Sequence, residues 1–484
     1  MDFLSKYLQS TAEKEQNKAV IAYLASLDYI STDSPKIAES ILQELKDQRS
    51  NLKMIASENY SSLAVQLAMG NLLTDKYAEG FANHRFYAGC SNIDAIEEEA
   101  MSQVKKLFGA EFAYVQPHSG ADANLIAFLA ILIEKVQSPE LERLGAKKVD
   151  ELSHEDYETL RKVLMNQSLL GMGLNSGGHL THGYRHNLSS KLMRAFSYEV
   201  DPKTQLLDYE NIEKLALEIK PLILVAGYSA YPRAINFARM KEIAVKAGSV
   251  FMVDMAHFAG LVAGKVFEGD FNPIPYADIV TSTTHKTLRG PRGGLILAKK
   301  EFGHILNKGC PLAMGGPLPH VMAAKAIAFQ EANKPSFHSY AQKIVKNAQT
   351  LAEELVRLGL RITTGGTDNH LLVVDVTSFG ITGRQAEGAL RAANITLNRN
   401  TIPSDPNGPW YTSGVRLGTP ALTTLGMGPA EMKIIAKLIH AILKSTKAKE
   451  DRAQFVTEEK TLLHVNKQVE ELLLTFPLYP EIRI

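Results

Sequence analysis

The chain has 484 residues, 45% of them hydrophobic and 22% charged, so it can bury a large core and form about two or three domains. Its 53 lysine and arginine residues nearly balance its 52 aspartate and glutamate residues, which leaves a formal net charge of +1. A charge this small provides no overall attraction for nucleic acid or for an anionic membrane surface. Composition therefore favours chemistry on a small molecule over either of those functions.

Cysteine content and apolar runs bear on the compartment. Only two cysteines, Cys90 and Cys310, are present, and their spacing matches neither a disulfide framework nor a metal site, so no metal is expected. Residues 1–20 carry scattered charges and lack the apolar core of a secretory signal, and no later run is long enough to cross a bilayer. We therefore expect a cytoplasmic protein with no membrane or nucleic-acid partner.

The first predicted element is a helix over residues 35–50, where apolar side chains recur at helical spacing. We place it in an N-terminal arm, residues 1–80. A large α/β domain with a mostly parallel sheet is predicted over residues 81–335, because helices there alternate with short apolar runs. The runs interpreted as strands are residues 222–227, 249–254, 277–281 and 293–298. A helix between the first two has Met240, Ile243, Ala244 and Ala247 on one face and ends at Gly248.

The rest of the chain divides into an insertion and a second domain. Residues 138–167 are predicted as two charged surface helices, the first beginning at Ser138-Pro139 and the second at Ser153. Their charges are typical of a solvated face, and a partner-binding role is the alternative. Beyond residue 335 a long helix and two strand candidates, residues 370–376 and 394–400, predict a smaller α+β domain over residues 336–484.

Lys286 is the first candidate for chemistry. It lies in "TSTTHKTLRGPRGG", residues 281–294, directly after an apolar run. Most lysines are solvated surface groups, but small hydroxyl residues and glycines after a strand are typical of an anion site. A partly desolvated lysine there has a lowered pKa, and its neutral amine can attack a carbonyl to form a Schiff base.

Asp254 is the second candidate, at the end of the run "SVFMVD" and three residues before His257. Its carboxylate should project from the carboxyl end of a buried parallel strand, although an aspartate there could equally cap a helix. An acid and a lysine at nearby strand ends form the pair that pyridoxal phosphate requires. Lys286 would bond to the aldehyde, and Asp254 would keep the pyridine nitrogen protonated.

A phosphate site is predicted in "QPHSGADAN", residues 116–124, where Ser119, Gly120 and Ala121 open a helix. Free N–H groups and the helix dipole favour an anion at such an end. Ser-Gly pairs are also common in ordinary turns, so this motif alone does not decide between a site and a turn.

Several motifs taken together, in this order, resemble serine hydroxymethyltransferase over about residues 36–475. They are "IASENY", "KYAEG", "QPHSGADAN", "GGHLTHG", "VDMAH", "THKTLRGPRGG", "GGTDNH" and "SGVRLGTPA". The resemblance implies a fold-type I pyridoxal-phosphate enzyme, with a seven-stranded type of sheet in the large domain. It also implies a homodimer with active sites at the subunit interface, to which the N-terminal arm contributes contacts. The implied reaction moves the hydroxymethyl carbon of serine to tetrahydrofolate, giving glycine and 5,10-methylenetetrahydrofolate.

The resemblance also implies a role for each matching residue. Lys286 resembles the Schiff-base lysine, Asp254 the partner of the pyridine nitrogen and His179 the imidazole that stacks on the cofactor ring. Ser229 and His257 resemble groups near the ring hydroxyl. The residues that resemble phosphate ligands are Ser119, Gly120, the backbone N–H of Ala121, His285 and, from the neighbouring subunit, Tyr77, Gly315 and Gly316.

The substrate sites follow in the same way. Arg416 resembles the clamp on the substrate carboxylate, assisted by Ser57, and Glu79 resembles a proton shuttle that acts across the interface with Tyr87. Thr283, His285 and Arg292 resemble groups that support Lys286. The folate positions are Leu174, Gly178, Leu180, Asn400 and Glu79. Taken singly, Arg416 is more typical of a surface ion pair, Glu79 of a solvated group and the leucines of plain core.

Three residues depart from the family pattern and leave alternatives open. Phe86 and Met314 stand where tyrosine and glutamine are usual, and Ala121 stands where a serine commonly contacts the phosphate. Aldol cleavage of 3-hydroxy amino acids and alanine racemisation are expected side reactions. A threonine-aldolase-like or alanine-racemising enzyme is therefore one alternative main activity. Another is a catalytically silent protein that recruits a partner through residues 138–167.

Overall fold

The computed structural model describes residues 2–482 and contains a large and a small sheet. We number the large-sheet strands β1 to β7 and list them here: Phe112–Tyr114, Ser168–Met172, Arg194–Tyr198, Ile223–Gly227, Val250–Asp254, Ile279–Thr283 and Gly294–Ala298. Their order across the sheet is β1-β7-β6-β5-β4-β2-β3. The four apolar runs predicted as strands are confirmed as β4 to β7, each buried along its whole length.

Strands β6, β5, β4, β2 and β3 pair in parallel, whereas β7 runs antiparallel to both β6 and β1. A parallel crossover needs a dozen or more residues, usually with a helix. Residues 284–293, which join β6 to β7, contain no helix. Lys286 therefore lies in a tight connection at the end of the sheet.

Helices cover both faces of the large sheet and continue into the C-terminal part. The α-helices of four or more residues are Phe3–Ser10, Lys18–Asp33, Pro35–Ser50, Leu63–Leu67, Ser91–Phe108, Gly120–Leu132, Ser138–Arg143, His154–Met165, Ser189–Leu192, Tyr209–Ile219, Phe237–Ala247, Ala259–Ala263, Gly303–Leu306, Pro319–Ala332, Pro335–Arg357, Gly383–Ala392, Gly408–Tyr411, Pro420–Thr424, Pro429–Ser445 and Glu459–Thr475. The predicted helix at residues 35–50 is confirmed. None of the helices within residues 2–482 combines the length and apolar character needed to cross a membrane.

The helix Phe237–Ala247 forms as its sequence predicts. Met240, Ile243 and Ala244 are buried on one face, and the helix ends at Gly248, which has a left-handed φ of 71°. Glycine adopts that conformation without the steric cost of a Cβ. The residue type therefore fixes where this helix stops and β5 begins.

The helix predicted to begin at Ser138-Pro139 is confirmed as Ser138–Arg143, but it is not separate from the helix before it. The helix that starts at Gly120 continues through a π-helical turn, Ile133–Gln137, directly into Ser138–Arg143. Pro139 has no N–H to donate, and the widened turn, closed by a bond from the Ser138 N–H to the Ile133 carbonyl, accommodates it inside the helix. The second predicted start is confirmed, because the Ser153 side chain accepts from the Asp156 N–H.

The small sheet has four antiparallel strands. In chain order they are β8 Arg361–Ile362, β9 Leu371–Asp375, β10 Asn398–Asn400 and β11 Gly414–Gly418, arranged β8-β9-β11-β10. The prediction of one strand over residues 394–400 is wrong. Ile395–Thr396 instead pairs in parallel with Leu52–Lys53, because this edge of the C-terminal part is closed by the N-terminal arm. The domain limits at residues 80 and 335 stay predictions.

Lys325 is a charged side chain buried against the large sheet, with only 1% of the residue exposed. Its Nζ donates to the carbonyl oxygens of Val115 (2.6 Å), Pro117 (2.9 Å) and Gly294 (2.8 Å). Burial lowers the pKa of Lys325 to about 7, yet three acceptors require three N–H donors, which only the ammonium has. Lys325 therefore binds the ends of β1 and β7 together beneath the turn that precedes Ser119.

Candidate active site

Lys286 lies just beyond the end of β6 and is partly buried. Its Nζ donates to Thr283 Oγ1 at 3.2 Å. Burial, opposed by the charge of Asp254 and assisted by those of Arg416 and Arg292, lowers the pKa of Lys286 to about 8. About one such amine in ten is therefore neutral at pH 7 and can act as a nucleophile.

Asp254, at the end of β5, is 7% exposed and is held by three hydrogen bonds. Asn124 Nδ2 and His182 Nε2 reach its Oδ2 at 2.9 and 3.1 Å, and the Ala256 N–H reaches Oδ1 at 3.0 Å. Burial opposes ionisation, but these bonds and the two nearby histidines hold the pKa of Asp254 well below its usual range. The carboxylate is therefore permanently charged and keeps a free lone pair on Oδ1 for a cationic partner.

His179 is positioned by Thr181 through a bond of 2.7 Å between Nδ1 and Oγ1. Burial lowers the pKa of His179 to about 4, so the imidazole is neutral at physiological pH. A neutral flat ring near Asp254 can stack on an aromatic cofactor without competing for the charge of the carboxylate.

Arg416, in β11, is deeply buried and contacts Ser229. Its NH1 donates to the Ser229 carbonyl at 2.6 Å and its Nε to Asn398 Oδ1 at 3.1 Å, and the residue is 8% exposed. Burial lowers its pKa to about 10, so it remains charged. All its hydrogen-bond partners within residues 2–482 are neutral. The buried guanidinium can therefore bind a carboxylate.

The residues predicted to bind phosphate lie next to the end of β6, just before the loop that contains Lys286. Ser119 caps the helix Gly120–Leu132 by accepting from the Asp122 N–H, and the first N–H groups of that helix have no acceptor within it. A Cβ on Gly120 would lie 2.7 Å from Thr283 Cγ2, so only glycine lets the helix start approach β6 this closely. Nδ1 of His285 is also buried without a hydrogen-bond partner among the described residues.

Comparison with known proteins decides the family. The profile described as serine hydroxymethyltransferase matches residues 30–146 and 151–439. The chain is 57% identical over 487 residues to the serine hydroxymethyltransferase of Chlamydia trachomatis serovar D, covering 99% of this chain and 98% of the relative. The chain belongs to the serine hydroxymethyltransferase family. The enzyme of that name from Treponema pallidum is 56% identical over 487 residues (99% and 84% covered), and that of Mycolicibacterium smegmatis 55% over 463 residues (96% and 94% covered).

Membership of the serine hydroxymethyltransferase family settles the activity. The protein is a fold-type I, pyridoxal-phosphate-dependent enzyme that transfers the hydroxymethyl carbon of serine to tetrahydrofolate. The same relatives favour this reaction over aldolase or racemase activity as the main task. The observed residues fit the cofactor: an acid for the pyridine nitrogen, an amine for the aldehyde, and an unpartnered His285 Nδ1 beside a helix N-terminus for the phosphate.

A second group of predicted residues forms its own cluster. The Tyr77 and Tyr87 rings lie 5.0 Å apart. A Cβ on Gly316 would lie 3.2 Å from the Tyr77 ring, and one on Gly315 would lie 3.8 Å from Glu79 Oε1. Within residues 2–482 the contacts of these five residues reach one another and neighbours such as His118, whose Nε2 lies 3.0 Å from the Gly316 carbonyl oxygen, but not Lys286, Asp254 or Arg416.

The remaining predicted residues lie around these two groups. Leu174 and Gly178 lie in the turn after β2, and Leu180, 47% exposed, follows His179. Asn400 is at the end of β10 and donates to the Thr401 carbonyl at 2.7 Å. Ser57 lies beside β11, since its neighbour Ala56 contacts Gly418. Of the residues predicted to bind folate, Leu174, Gly178 and Leu180 therefore lie beside the large sheet, whereas Asn400 lies in the small sheet.

Sequence reasoning missed two residues that hold the site together, Asn124 and His182. Asn124 is buried, bonds Asp254 and Thr181, and accepts from Thr281 Oγ1 at 2.5 Å. A usable signal existed, because Asn124 lies four residues after Gly120 and so on the same helix face. His182 lies in the same motif as His179, "GGHLTHG", but the family resemblance gave a role only to His179.

The grouping of His179, His182 and Asp254 also has the composition of a metal site, since one atom of each lies within 4.8 Å of the others. Both ring nitrogens of His182 are already engaged: Nδ1 accepts from the His179 N–H at 3.3 Å, and Nε2 bonds Asp254. A metal would need to displace one of these bonds. We therefore assign the group to the cofactor.

Proposed function

We propose that Lys286, Asp254, His179 and Arg416 form the catalytic centre of the hydroxymethyl transfer, with the roles that the family resemblance implies. The observation that carries this proposal is Arg416. A buried guanidinium whose hydrogen-bond partners among the described residues are all neutral lowers stability unless a carboxylate binds it. The carboxylate of serine or glycine supplies that charge.

Arg416 then orients the substrate. Its planar fork can hold a carboxylate by two parallel hydrogen bonds, with Ser57 nearby. Because NH1 is fixed by the Ser229 carbonyl and Nε by Asn398, the guanidinium has little freedom to turn. A substrate held in this way keeps its breaking Cα–Cβ bond in one direction, which lowers the entropic part of the barrier.

The cofactor would be held by the residues described above. Bound pyridoxal phosphate supplies a ring that accepts electrons from the substrate Cα. Asp254 favours the protonated pyridine nitrogen, and His179 covers the ring and excludes water from one face. Ser119, Gly120, Ala121 and His285 would bind the phosphate. Thr283 holds Lys286 Nζ in place by the bond at 3.2 Å.

Proton transfer at the serine hydroxyl oxygen is assigned to Glu79, with Tyr87 beside it. Both belong to the cluster that is separate from Lys286, so we propose that they act in the active site of a neighbouring subunit and that the enzyme is a homodimer. Exposed apolar side chains around this cluster support an interface: Leu72 is 83% exposed, Tyr77 56% and Phe86 73%. Large apolar side chains exposed close together along the chain, unlike singly scattered ones, are typical of contact surfaces.

The compartment is proposed from the thiols. Cys90 and Cys310 are both free and buried, which agrees with a reducing, cytoplasmic environment.

The activity test uses the purified protein with added pyridoxal phosphate, serine and tetrahydrofolate. We expect glycine and methylenetetrahydrofolate in equal amounts, and loss of both products in Lys286→Ala. Reduction with borohydride should fix the cofactor mass on the peptide that contains Lys286. Full serine turnover without folate would contradict the reaction, and labelling of a different lysine would contradict the residue assignment.

The interface proposal is tested by mixing two inactive variants, Lys286→Ala and Glu79→Gln. If each site takes its lysine and its glutamate from different subunits, random hybrid dimers contain one intact site, and the mixture recovers about one quarter of wild-type activity. If both residues act within one subunit, no intact site forms and no activity returns. Each variant mixed with itself is the control.

A further inference from the structure

His370, in the motif "GGTDNH", has no role in the site as described so far, although it contacts it. The residue is fully buried, directly before β9. Its Nε2 lies 3.1 Å from Nδ1 of His257, and the planes of the two rings are inclined to each other by 26°. His257 in turn lies 3.5 Å from Ser229 Oγ through its own Nε2. A chain of polar contacts therefore runs from the small sheet into the active site.

Both imidazoles are neutral. Burial and the charges of Lys286 and Arg416 hold the pKa of His257 well below its usual range, and burial lowers the pKa of His370 to about 3. Each neutral ring carries one proton, so the contact between them contains a single hydrogen. Either His370 donates from Nε2 or His257 donates from Nδ1.

The far side of His370 distinguishes these two arrangements. Its Nδ1 is buried and has no hydrogen-bond partner among the described residues. If His257 donated, the proton of His370 would have to be on this Nδ1, as a buried N–H without an acceptor. Buried N–H groups without acceptors are rarer in proteins than acceptors without donors. The arrangement in which His370 donates avoids that group.

We propose that His370 is a positioning residue that donates its Nε2–H to Nδ1 of His257 and thereby fixes the proton of His257 on Nε2. The proton then points to the side of His257 where Ser229 lies. The partner bonded to one ring nitrogen determines which form the other takes. The Nε2–H of His257 is then available to the ring oxygen of the cofactor. This inference rests on the proposed place of His257 beside that oxygen.

Two substitutions separate this role from packing. His370→Gln keeps an N–H donor near the position of Nε2, whereas His370→Met fills similar space with no donor. We expect His370→Gln to keep the affinity of the apoenzyme for pyridoxal phosphate within about twofold and His370→Met to weaken it about tenfold, as for loss of a bond to a charged acceptor. The matched control is His338→Met, which changes an exposed histidine.

The tautomer itself can be measured in the cofactor-free protein. Nitrogen-15 spectra of the histidine-labelled apoenzyme, with the His257 signal identified by its loss in His257→Gln, should show the proton of His257 on Nε2. A proton on Nδ1 overturns the proposal, as does wild-type cofactor affinity in His370→Met. If the wild type itself fails to bind the cofactor, the proposed function fails, whereas the spectrum still decides the tautomer.

Discussion

The reactivity of Lys286 gives the sharpest prediction. Its pKa falls from 10.5 to about 8, so at pH 7 about one amine in ten is neutral, compared with about three in ten thousand for an ordinary lysine. The gain is about 300-fold in reactive amine. Because only the neutral amine attacks an aldehyde, the rate at which apoenzyme captures pyridoxal phosphate should rise with pH, pass its midpoint near pH 8 and level off above it.

Neighbouring charges should move that midpoint in opposite directions. Asp254 raises the pKa of Lys286 and Arg416 lowers it. Asp254→Asn should therefore shift the midpoint to lower pH, and Arg416→Met should shift it to higher pH. The assay is stopped-flow absorbance of the bound cofactor at a series of pH values, with Lys346→Met, which removes an exposed cation, as the control. A wild-type midpoint near 10, or shifts of the same sign in both variants, would refute the reasoning.

Further predictions concern Arg416, Lys325 and the start of the helix at Gly120. Arg416→Lys keeps the charge but loses the planar guanidinium fork. The KM for serine should therefore rise at least about tenfold, while the affinity for the cofactor stays unchanged. Steady-state kinetics measure the first quantity and a cofactor titration the second. Lys325→Met leaves the Val115 and Gly294 carbonyls without their donor. A loss of about 2 kcal/mol should lower Tm by about 2 °C in a chain of this length, and a Tm equal to that of the exposed Lys343→Met would contradict it. Gly120→Ala should weaken cofactor binding, because its Cβ would lie 2.7 Å from Thr283 Cγ2. Ala121→Ser should instead tighten cofactor binding about fivefold through one added hydrogen bond to the phosphate. An equilibrium titration in which both variants bind the cofactor as tightly as the wild type would exclude both effects.

Local sequence determined the elements whose signals are local. Strands β4 to β7 were predictable because each is a short, continuous apolar run buried on both faces. Asp254 could be placed from its run, and Lys286 just after the next, because side chains at the carboxyl ends of such strands face a common crevice. Ser153 and Gly248 likewise mark helix ends through their own backbone chemistry. The position of His179 and Arg416 came instead from the motifs they share with the family.

Only the tertiary structure decided features that depend on partners distant in sequence. Pro139 stays inside a helix because a π-helical turn removes the need for its missing N–H. Residues 394–400 form two short strands because Ile395–Thr396 pairs with the N-terminal arm and Asn398–Asn400 pairs with β11. The contact between His257 and His370 joins positions separated by 113 residues. Arg416 can bind the substrate carboxylate because it is buried among neutral hydrogen-bond partners. Hydrophobic periodicity reports which face of an element is buried, but it carries no information on which distant polar group that face will meet.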